Sequence, residues 1–291
     1  DVAIGRDELL RMVAGADAIV SLLTEKIDDE LLDAAGPQLK SVSNVAVGYN
    51  NIDVPACEKR GVLVTNTPGV LTEATADIAM SLILMATRRL GEGERVIRAQ
   101  EPWQWGMFYM LGMGLQGRQL GIVGMGQIGI ATARRAKAFG MNIAYTRRSP
   151  LEDNVVKELD AKYMSMDELI ESSDVLSLHC PYSPATHHLM SENQFARMKK
   201  TAFLINTARG PIVHEQALVD ALKSGQIAGA GLDVFENEPA VNPGLLELDN
   251  AVLIPHLGSA TVETRAAMAD IAATNALAIL AGAQAPNLVT S

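Results

Sequence analysis

Three side chains close apolar runs in the second half of the chain, and their types suit one reaction. Arg209 ends Phe203-Leu-Ile-Asn-Thr-Ala-Arg-Gly210, Glu238 lies in Asp233-Val-Phe-Glu-Asn-Glu-Pro239, and His256 ends Val252-Leu-Ile-Pro-His-Leu-Gly258. A guanidinium can grip a carboxylate through two hydrogen bonds and polarise the neighbouring carbonyl. An imidazolium can give its proton to the alkoxide that forms as hydride arrives. A carboxylate beside the ring favours its charged form and sets its orientation. Reduction of a 2-oxo acid with a nicotinamide cofactor needs this set. Position alone leaves alternatives open. His179 also ends an apolar run, and Glu236 competes with Glu238. Arg209 reads equally well as a helix-start arginine paired with a surface acid, and His256 as a satisfied structural histidine. His187, His188 and His214 read as ordinary loop or surface residues.

A cofactor site is legible further upstream. Leu120 to Thr146 runs from a short apolar stretch through Gly124, Gly126 and Gly129, then an Ala-rich helical stretch, to a second apolar run at Ile143 to Tyr145. Strand, glycine turn, helix and strand in that order make the dinucleotide fingerprint. Gly124 is expected to permit the tight turn, Gly126 to let a pyrophosphate approach the backbone, and Gly129 to let the helix pack on the sheet. Gln127 and Ile128 open the helix whose positive end faces the phosphates. The plain alternative is a glycine turn with no ligand. At the end of the second strand, where NAD enzymes place an acid on the ribose 2′-hydroxyl, the chain reads Ala144-Tyr-Thr-Arg-Arg-Ser149, with no acid before Glu152. Thr146, Arg147 and Arg148 suit a 2′-phosphate, so NADP(H) is expected in preference to NAD(H), with NAD(H) still possible. Two solvated turn arginines are the rival reading.

These residues must be positioned by alternating strands and helices. Strands are expected at Asp174–Cys180, Ala202–Ala208, Gly229–Phe235 and Ala251–Pro255, with helices around Met166–Ser172, Ser191–Met198, Glu215–Ser224 and Pro243–Leu248. The first third of the chain shows a smaller alternation: helices at 6–14, Ile27–Ala35 and from Pro55, and strands at Ala18–Leu23, Leu39–Val47 and Gly61–Thr65. A long helix from Glu73 to about Leu90, continuing towards Gln100 and capped by Thr72, marks the junction. Trp103, Trp105 and the Gly/Met-rich residues to Gly117 read as an irregular loop. Its role is a subunit contact, an active-site loop, or simply two aromatics pinning a loop down. The last helix, Val262–Ala281, is expected to return to the first domain. The expected fold class is therefore α/β: a doubly wound parallel (Rossmann) sheet with a second, smaller flavodoxin-like α/β domain. Residues 73–261 would form the dinucleotide-binding domain, and 1–72 with 262–291 a discontinuous substrate (catalytic) domain.

Composition narrows the partners. With 24 Lys and Arg against 34 Asp and Glu, the formal charge is −10, which argues against nucleic acid. No apolar run has membrane-spanning length, and no signal peptide is recognised. The two cysteines, Cys57 and Cys180, fit neither a metal site nor a disulfide framework, so no metal and a cytoplasmic setting are expected.

Several stretches together resemble the D-isomer-specific 2-hydroxyacid dehydrogenases, most closely their glyoxylate/hydroxypyruvate reductase branch. They are Asn44-Val-Ala-Val-Gly-Tyr-Asn-Asn-Ile-Asp53, Thr65 to Asp77, the fingerprint, His179-Cys-Pro181, Asn206 to Gly210, Asp233 to Pro239, and Pro255-His-Leu-Gly-Ser259. The resemblance implies that Arg209 orients substrate, that Glu238 is the partner acid and that His256 is the acid/base. It implies backbone contacts from Val47 and Gly48 to the substrate carboxylate, with Ser259 close by. On the cofactor side it implies Thr75 at the phosphates, Asp233 at the nicotinamide amide, His179 and Pro181 along its border, and Thr207 next to it. A small 2-oxo or 2-hydroxy acid and a homodimer follow from the same likeness. Formate dehydrogenases are disfavoured, since they carry glutamine where this chain has Glu238. Members of the family begin with a strand before the first helix, which this chain does not show. The rivals are a D-2-hydroxyacid dehydrogenase for 2-ketogluconate or 3-phosphoglycerate, and a cofactor-sensing corepressor-like protein, in which the same three side chains persist.

Overall fold

The computed structural model describes residues 4–289, so positions 1–3 and 290–291 of the expected substrate domain lie outside the described residues. The chain divides into two compact units, Asp1–Leu71 with Thr261–Ser291, and Thr72–Ala260. Both are parallel α/β layers.

In the first unit, strands β1 (Ala18–Ser21), β2 (Ser41–Asn44) and β3 (Leu63–Thr65) pair in parallel in that order. Helices Arg6–Val13, Asp29–Ala35 and Val54–Lys59 alternate with them. Asp28 and Asp53 start the second and third helices by accepting from Leu31 N and Ala56 N, the usual service of a short acid at a helix start. The central strand is polar yet buried, and the Ser43 and Asn44 side chains are paired there. Ser21 Oγ donates to Asn44 Oδ1 at 3.0 Å, and Thr65 Oγ1 to Ser43 Oγ at 2.9 Å. Helix Val262–Leu280 lies on all three strands. Beyond it, Val289 N reaches Val64 O at 2.9 Å.

The second unit has seven strands: β4 (Gln119–Val123), β5 (Asn142–Thr146), β6 (Lys162–Tyr163), β7 (Val175–Leu178), β8 (Phe203–Asn206), β9 (Gly229–Leu232) and β10 (Ala251–Leu253). All pair in parallel, in the order β10-β9-β8-β7-β4-β5-β6. The chain winds outward through β5 and β6, then returns to the other side of β4 for β7. The winding direction therefore reverses at β4, and the crevice at such a reversal opens beyond the strands' carboxyl ends. Strands buried on both faces are near-continuously apolar, as Leu120, Ile122, Val175, Leu176, Leu204 and Ile205 show.

Two expectations for this unit need correction. The long helix is broken into Thr72–Thr87 and Leu90–Arg98, with Arg89 in the left-handed region at φ 55°. The cause is tertiary. Met113 N takes the Thr87 carbonyl at 2.8 Å, and Gly112 sits so close to that carbonyl that an added Cβ would lie 2.4 Å from it. Thr72 is the first helical residue rather than a cap. Trp103 and Trp105 do lie in an irregular segment, but at 56% and 77% exposed they pin nothing down within the chain. Helix Asp153–Leu159 and the two-residue edge strand β6 are additional to the expected elements.

Candidate active site

Parallel pairing puts the carboxyl ends of adjacent strands on one edge, so the residues that follow them meet there. His179 follows β7, Arg209 lies three residues beyond β8, Asp233 follows β9, and His256 lies three beyond β10. Gly124 follows β4, and Arg147 follows β5.

His256 and Glu238 are paired: Nδ1 of the ring lies 2.7 Å from Glu238 Oε2, with each side chain about one-third exposed (33% and 35%). The other carboxylate oxygen of Glu238 accepts from Phe235 N at 3.0 Å. Burial works against the Glu238 charge. The hydrogen bond and charge of His256, the Phe235 amide and the nearby Arg209 outweigh it, holding the carboxyl below its ordinary range. His256 adopts φ 53°, a left-handed conformation that a non-glycine residue holds only when its surroundings impose it. Asp233 imposes it. Its carbonyl accepts from His256 N at 2.9 Å, and its carboxylate accepts from Leu257 N at 2.5 Å and Gly258 N at 2.8 Å. Thr75 Oγ1 closes the same turn by donating to Gly258 O at 3.1 Å. Asp233 and Thr75, read from the sequence as cofactor contacts, thus have their side chains engaged in the turn that carries His256. Ser259 comes next and is half-buried. Burial pushes the Asp233 carboxyl up, against the pull of those two amides and of His256.

Arg209 is also half-buried. Burial pulls its pKa down, with the charge of Glu238 opposing, so the cation and the Glu238 carboxylate belong to one electrostatic group. Asn206 builds its turn: Oδ1 accepts from Ala208 N and Nδ2 donates to Arg209 O, both at 3.0 Å. Gly210 then runs against the Phe235–Glu236 backbone, where a Cβ would lie 1.9 Å from the Phe235 carbonyl. Glycine is the one residue that lets the Arg209 turn and the Glu238 turn approach so closely. Asn206 and Gly210 were quoted from the sequence only as parts of a motif. The Asn-x-x-Arg-Gly order is the signal that could have singled them out.

Of the rivals, Glu236 faces His188 at 2.5 Å instead of His256. His179 Nε2 lies 2.8 Å from Ser177 Oγ, and burial pushes its pKa down to about 4, which keeps the ring neutral. His187, His188 and His214 are not scattered surface residues. Their rings cluster, with centroids 3.9 Å apart for the first two and 4.7 Å for the last two.

The glycine turn has the shape a dinucleotide needs. Gly124 has φ 89°, and an added Cβ would lie 2.5 Å from Cys180 N. At Gly126 an added Cβ would meet nothing within 4 Å, so its face is open. A Cβ on Gly129 would lie 2.9 Å from Gly124 O and 3.2 Å from Ile122 Cγ2, which brings helix Gln127–Ala138 onto β4. No side chain caps that helix start at Gln127 and Ile128. At the end of β8, Thr207 Oγ1 is buried without a hydrogen-bond partner, as a hydroxyl awaiting a ligand would be. Thr146 is half-buried, and Arg147 and Arg148 are exposed and form no ion pair among the described residues. The Arg147 guanidinium reaches only to Met125 O, at 3.4 Å. Pro181 is exposed beside Cys180. In the first unit, Asn66 Nδ2 ties down Val47 O and Asn44 Nδ2 ties down Gly48 O, both at 2.9 Å. Among the described residues no His, Cys, Asp and Glu group could hold a metal ion, and no helix is long and apolar enough to cross a membrane.

The chain is similar to known proteins along nearly all of its length. Residues 80–258 match the family model described as D-isomer specific 2-hydroxyacid dehydrogenase, NAD binding domain. A glyoxylate reductase of Korarchaeum cryptofilum is 51% identical over 284 residues, covering 97% of this chain and 85% of the relative. The crystal structure of a glyoxylate reductase from Paecilomyes thermophila superposes with a TM-score of 0.88 at 39% identity, covering 98% of this chain and 88% of that one. An NADPH-dependent glyoxylate/hydroxypyruvate reductase from Sinorhizobium meliloti, crystallised with NADP and malonate, superposes with a TM-score of 0.85 at 38% identity, covering 99% and 86%. A family model spanning most of the chain, together with a half-identical relative along nearly all of it, places this chain among the D-isomer-specific 2-hydroxyacid dehydrogenases.

Proposed function

We propose that this protein reduces a small 2-oxo acid of the glyoxylate/hydroxypyruvate type to the 2-hydroxy acid, with NADPH as the preferred hydride source. The observation that carries the reading is the His256–Glu238 pair, electrostatically joined to Arg209 on the edge where the glycine turn also opens. The reduced nicotinamide, when bound, supplies the hydride. Glu238 occupies Nδ1 of His256, which leaves Nε2 to hand a proton to the developing alkoxide. The same carboxylate stabilises the imidazolium before transfer. Arg209 holds the substrate carboxylate with its planar fork and draws charge from the carbonyl. Ser259, in the turn after His256, adds to the carboxylate contacts in this reading. Gly124, Gly126, Gln127, Ile128 and Gly129 take the pyrophosphate, Thr207 gives its unpartnered hydroxyl to the cofactor, and His179 and Pro181 border it. Thr75 and Asp233 act beside it, from the turn they already brace. Residues 73–261 serve as the dinucleotide-binding domain, and 1–72 with 262–291 as the substrate domain.

Arg147, assisted by Thr146 and Arg148, selects NADP(H). The pair is exposed and without an internal acid, on a chain of net charge −10, and the loss of an acid at this place removes what would repel a 2′-phosphate. Two buried free thiols, Cys57 and Cys180, fit a reducing cytoplasm. The exposed apolar residues between Trp103 and Leu111 fit the contact surface of a homodimer.

Initial rates with a panel of 2-oxo acids and both reduced cofactors test the reading. Turnover of glyoxylate or hydroxypyruvate with a higher kcat/KM for NADPH is expected, and Arg147→Ala should weaken NADPH while sparing NADH. Absence of turnover with every 2-oxo acid overturns the enzyme reading. A preference for NADH overturns the cofactor assignment alone.

A further inference from the structure

The segment that carries Glu238 is clamped by groups that take no direct part in the proposed reaction. Glu215 and Glu236 each accept the other's backbone amide: Glu236 N donates to Glu215 Oε1 at 2.6 Å, and Glu215 N to Glu236 Oε2 at 3.0 Å. The remaining oxygen of Glu236 lies 2.5 Å from His188 Nε2. His188 has φ 49°, and its backbone amide donates to Pro211 O at 2.9 Å. Two residues on, Met190 N and O bond Ile212 O and His214 N, at 3.0 and 2.9 Å. The 188–190 strip is thus stitched to the segment that leaves Arg209 and Gly210, while Glu236 is gripped from that strip and from the start of helix Glu215–Lys223. One end of the clamp holds the Arg209 turn, and the other holds the Glu238 turn.

We infer that Glu236, seated by Glu215 and His188, is a positioning residue that aims the Glu238 carboxylate at His256 Nδ1. The inference rests on the reading of Glu238 and His256 given above. The chemistry of the cluster explains why an ionic clamp stands here. Glu215 is 5% exposed, and burial pushes its carboxyl up; the charges of Glu236 and Glu238 add to this, against the amides of Glu236 and Asn242. Such a group persists where it has obligatory donors, and each backbone amide here serves as one. The outer side is supplied by histidines: His188 at Glu236, His187 stacked on His188, and His214 tilted against it with Glu192 Oε1 3.2 Å from its Nδ1. Tyr182 closes the outer face, with its hydroxyl 3.4 Å from His187 Nδ1. Glu236 lies two residues from Glu238, and Phe235 between β9 and Glu236 gives its amide to Glu238 Oε1. Glu236 and Glu238 thus share one short turn, closed by the Phe235 amide, and a shift of Glu236 is passed to Glu238 through the single residue between them.

The test is the pH profile of kcat/KM for 2-oxo acid reduction, measured on the whole protein. Reduction needs His256 protonated, so activity falls on an alkaline limb that reports the His256–Glu238 pair. Glu236→Ala should lower kcat and move that limb to lower pH by about one unit, the scale of losing a well-placed opposite charge, with cofactor affinity unchanged. Glu236→Gln keeps an acceptor for the Glu215 amide and should recover part of the shift. His188→Gln, at the outer end of the clamp, should move the limb in the same direction by a smaller step, and it serves if Glu236→Ala does not fold. A folded variant at Glu236, or His188→Gln in its place, with the limb at its original pH overturns the inference. Glu238→Gln is measured alongside. If it too leaves the limb in place, the pairing of Glu238 with His256 in catalysis fails and the inference falls with it. If only Glu238→Gln moves the limb, the positioning role alone is lost.

Discussion

At the scale of single residues, the chemistry depends on which nitrogen and which carboxylate oxygen are already committed. Glu238 takes Nδ1 of His256 and the amide of Phe235, leaving Nε2 as the nitrogen that would act in the proposed reaction. His256→Gln keeps a polar side chain but removes the ring proposed to deliver the proton. It should lower kcat for reduction by about two to four decades while cofactor binding, read by fluorescence titration, stays near that of the parent. A His256→Gln enzyme within a few-fold of the parent rate would return the acid role to another residue. His179 contributes differently. Its ordinary pKa of 6.5 falls to about 4 because burial disfavours the charged ring. A depressed folded-state pKa means the unfolded chain binds the proton first, so the stability linked to His179 is complete above pH 6.5 and declines as pH falls towards 4. His179→Asn should therefore lose less stability than the parent between pH 7 and pH 5 in urea unfolding. Parallel losses in the two proteins would mean that the ring is not held neutral.

At the scale of elements, a parallel sheet brings chemistry together by bringing strand ends together. β7, β8, β9 and β10 are successive neighbours in the sheet, and His179, Arg209, Asp233 and His256 reach one edge because all four strands pair in parallel. The close passage of two strand-end turns is as necessary as the sheet. Gly210 allows it, since any Cβ there would overlap the Phe235 carbonyl at 1.9 Å. Backbone atoms on both sides leave no flexible side chain to yield. Gly210→Ala should reduce kcat/KM by at least about tenfold and destabilise the second unit by about 1–3 kcal/mol, the usual cost of overpacking. Thermal unfolding and steady-state rates check both. A Gly210→Ala protein with the parent Tm and rate would show that the two turns part at no cost. The helix broken at Arg89 teaches the converse lesson. Thr72 to Arg98 carries a helical pattern through residues 88–89, yet a distant strip, Gly112–Met113, claims the Thr87 carbonyl and ends the first helix there.

At the scale of the whole molecule, two features concern what the protein meets. Trp105 (77%), Met107 (71%), Phe108 (83%) and Leu111 (60%) are large apolar side chains exposed together in a segment without regular structure. These exposed apolar side chains are the proposed contact surface. With the homodimer as its proposed occupant, the Trp105→Ser/Phe108→Ser double variant should shift the protein towards monomer in light scattering behind size exclusion. A parent protein that is monomeric at micromolar concentration defeats that proposal. The other feature is charge. A −10 chain repels an anionic cofactor at long range, so the proposed NADP(H) selection would rest on local attraction at Arg147 and Arg148.

Read without coordinates, the chain already disclosed most of its architecture and the types of its proposed site residues. Both are local properties: a glycine turn between an apolar run and an Ala-rich helix, or an ionisable side chain at the end of an apolar run, can be seen within a few dozen residues. The α/β class and the doubly wound sheet follow from such patterns, and the family from the resemblance that several motifs carry together. What sequence order could not decide was partnership. Glu236 and Glu238 are equivalent by position, and His179 and His256 nearly so. The structure separates them by seating Glu236 against His188 and Glu215, and Glu238 against His256. Asp233 and Thr75 look like ligand contacts from the sequence, and tertiary hydrogen bonds also make them the brace of the His256 turn. The histidine cluster at residues 187, 188 and 214 was equally invisible, because its members come from separate segments joined by the Met190–Val213 bridge. A side chain's type is written locally, but its hydrogen-bond partner is chosen by residues tens of positions away, and only the fold brings them within 3 Å.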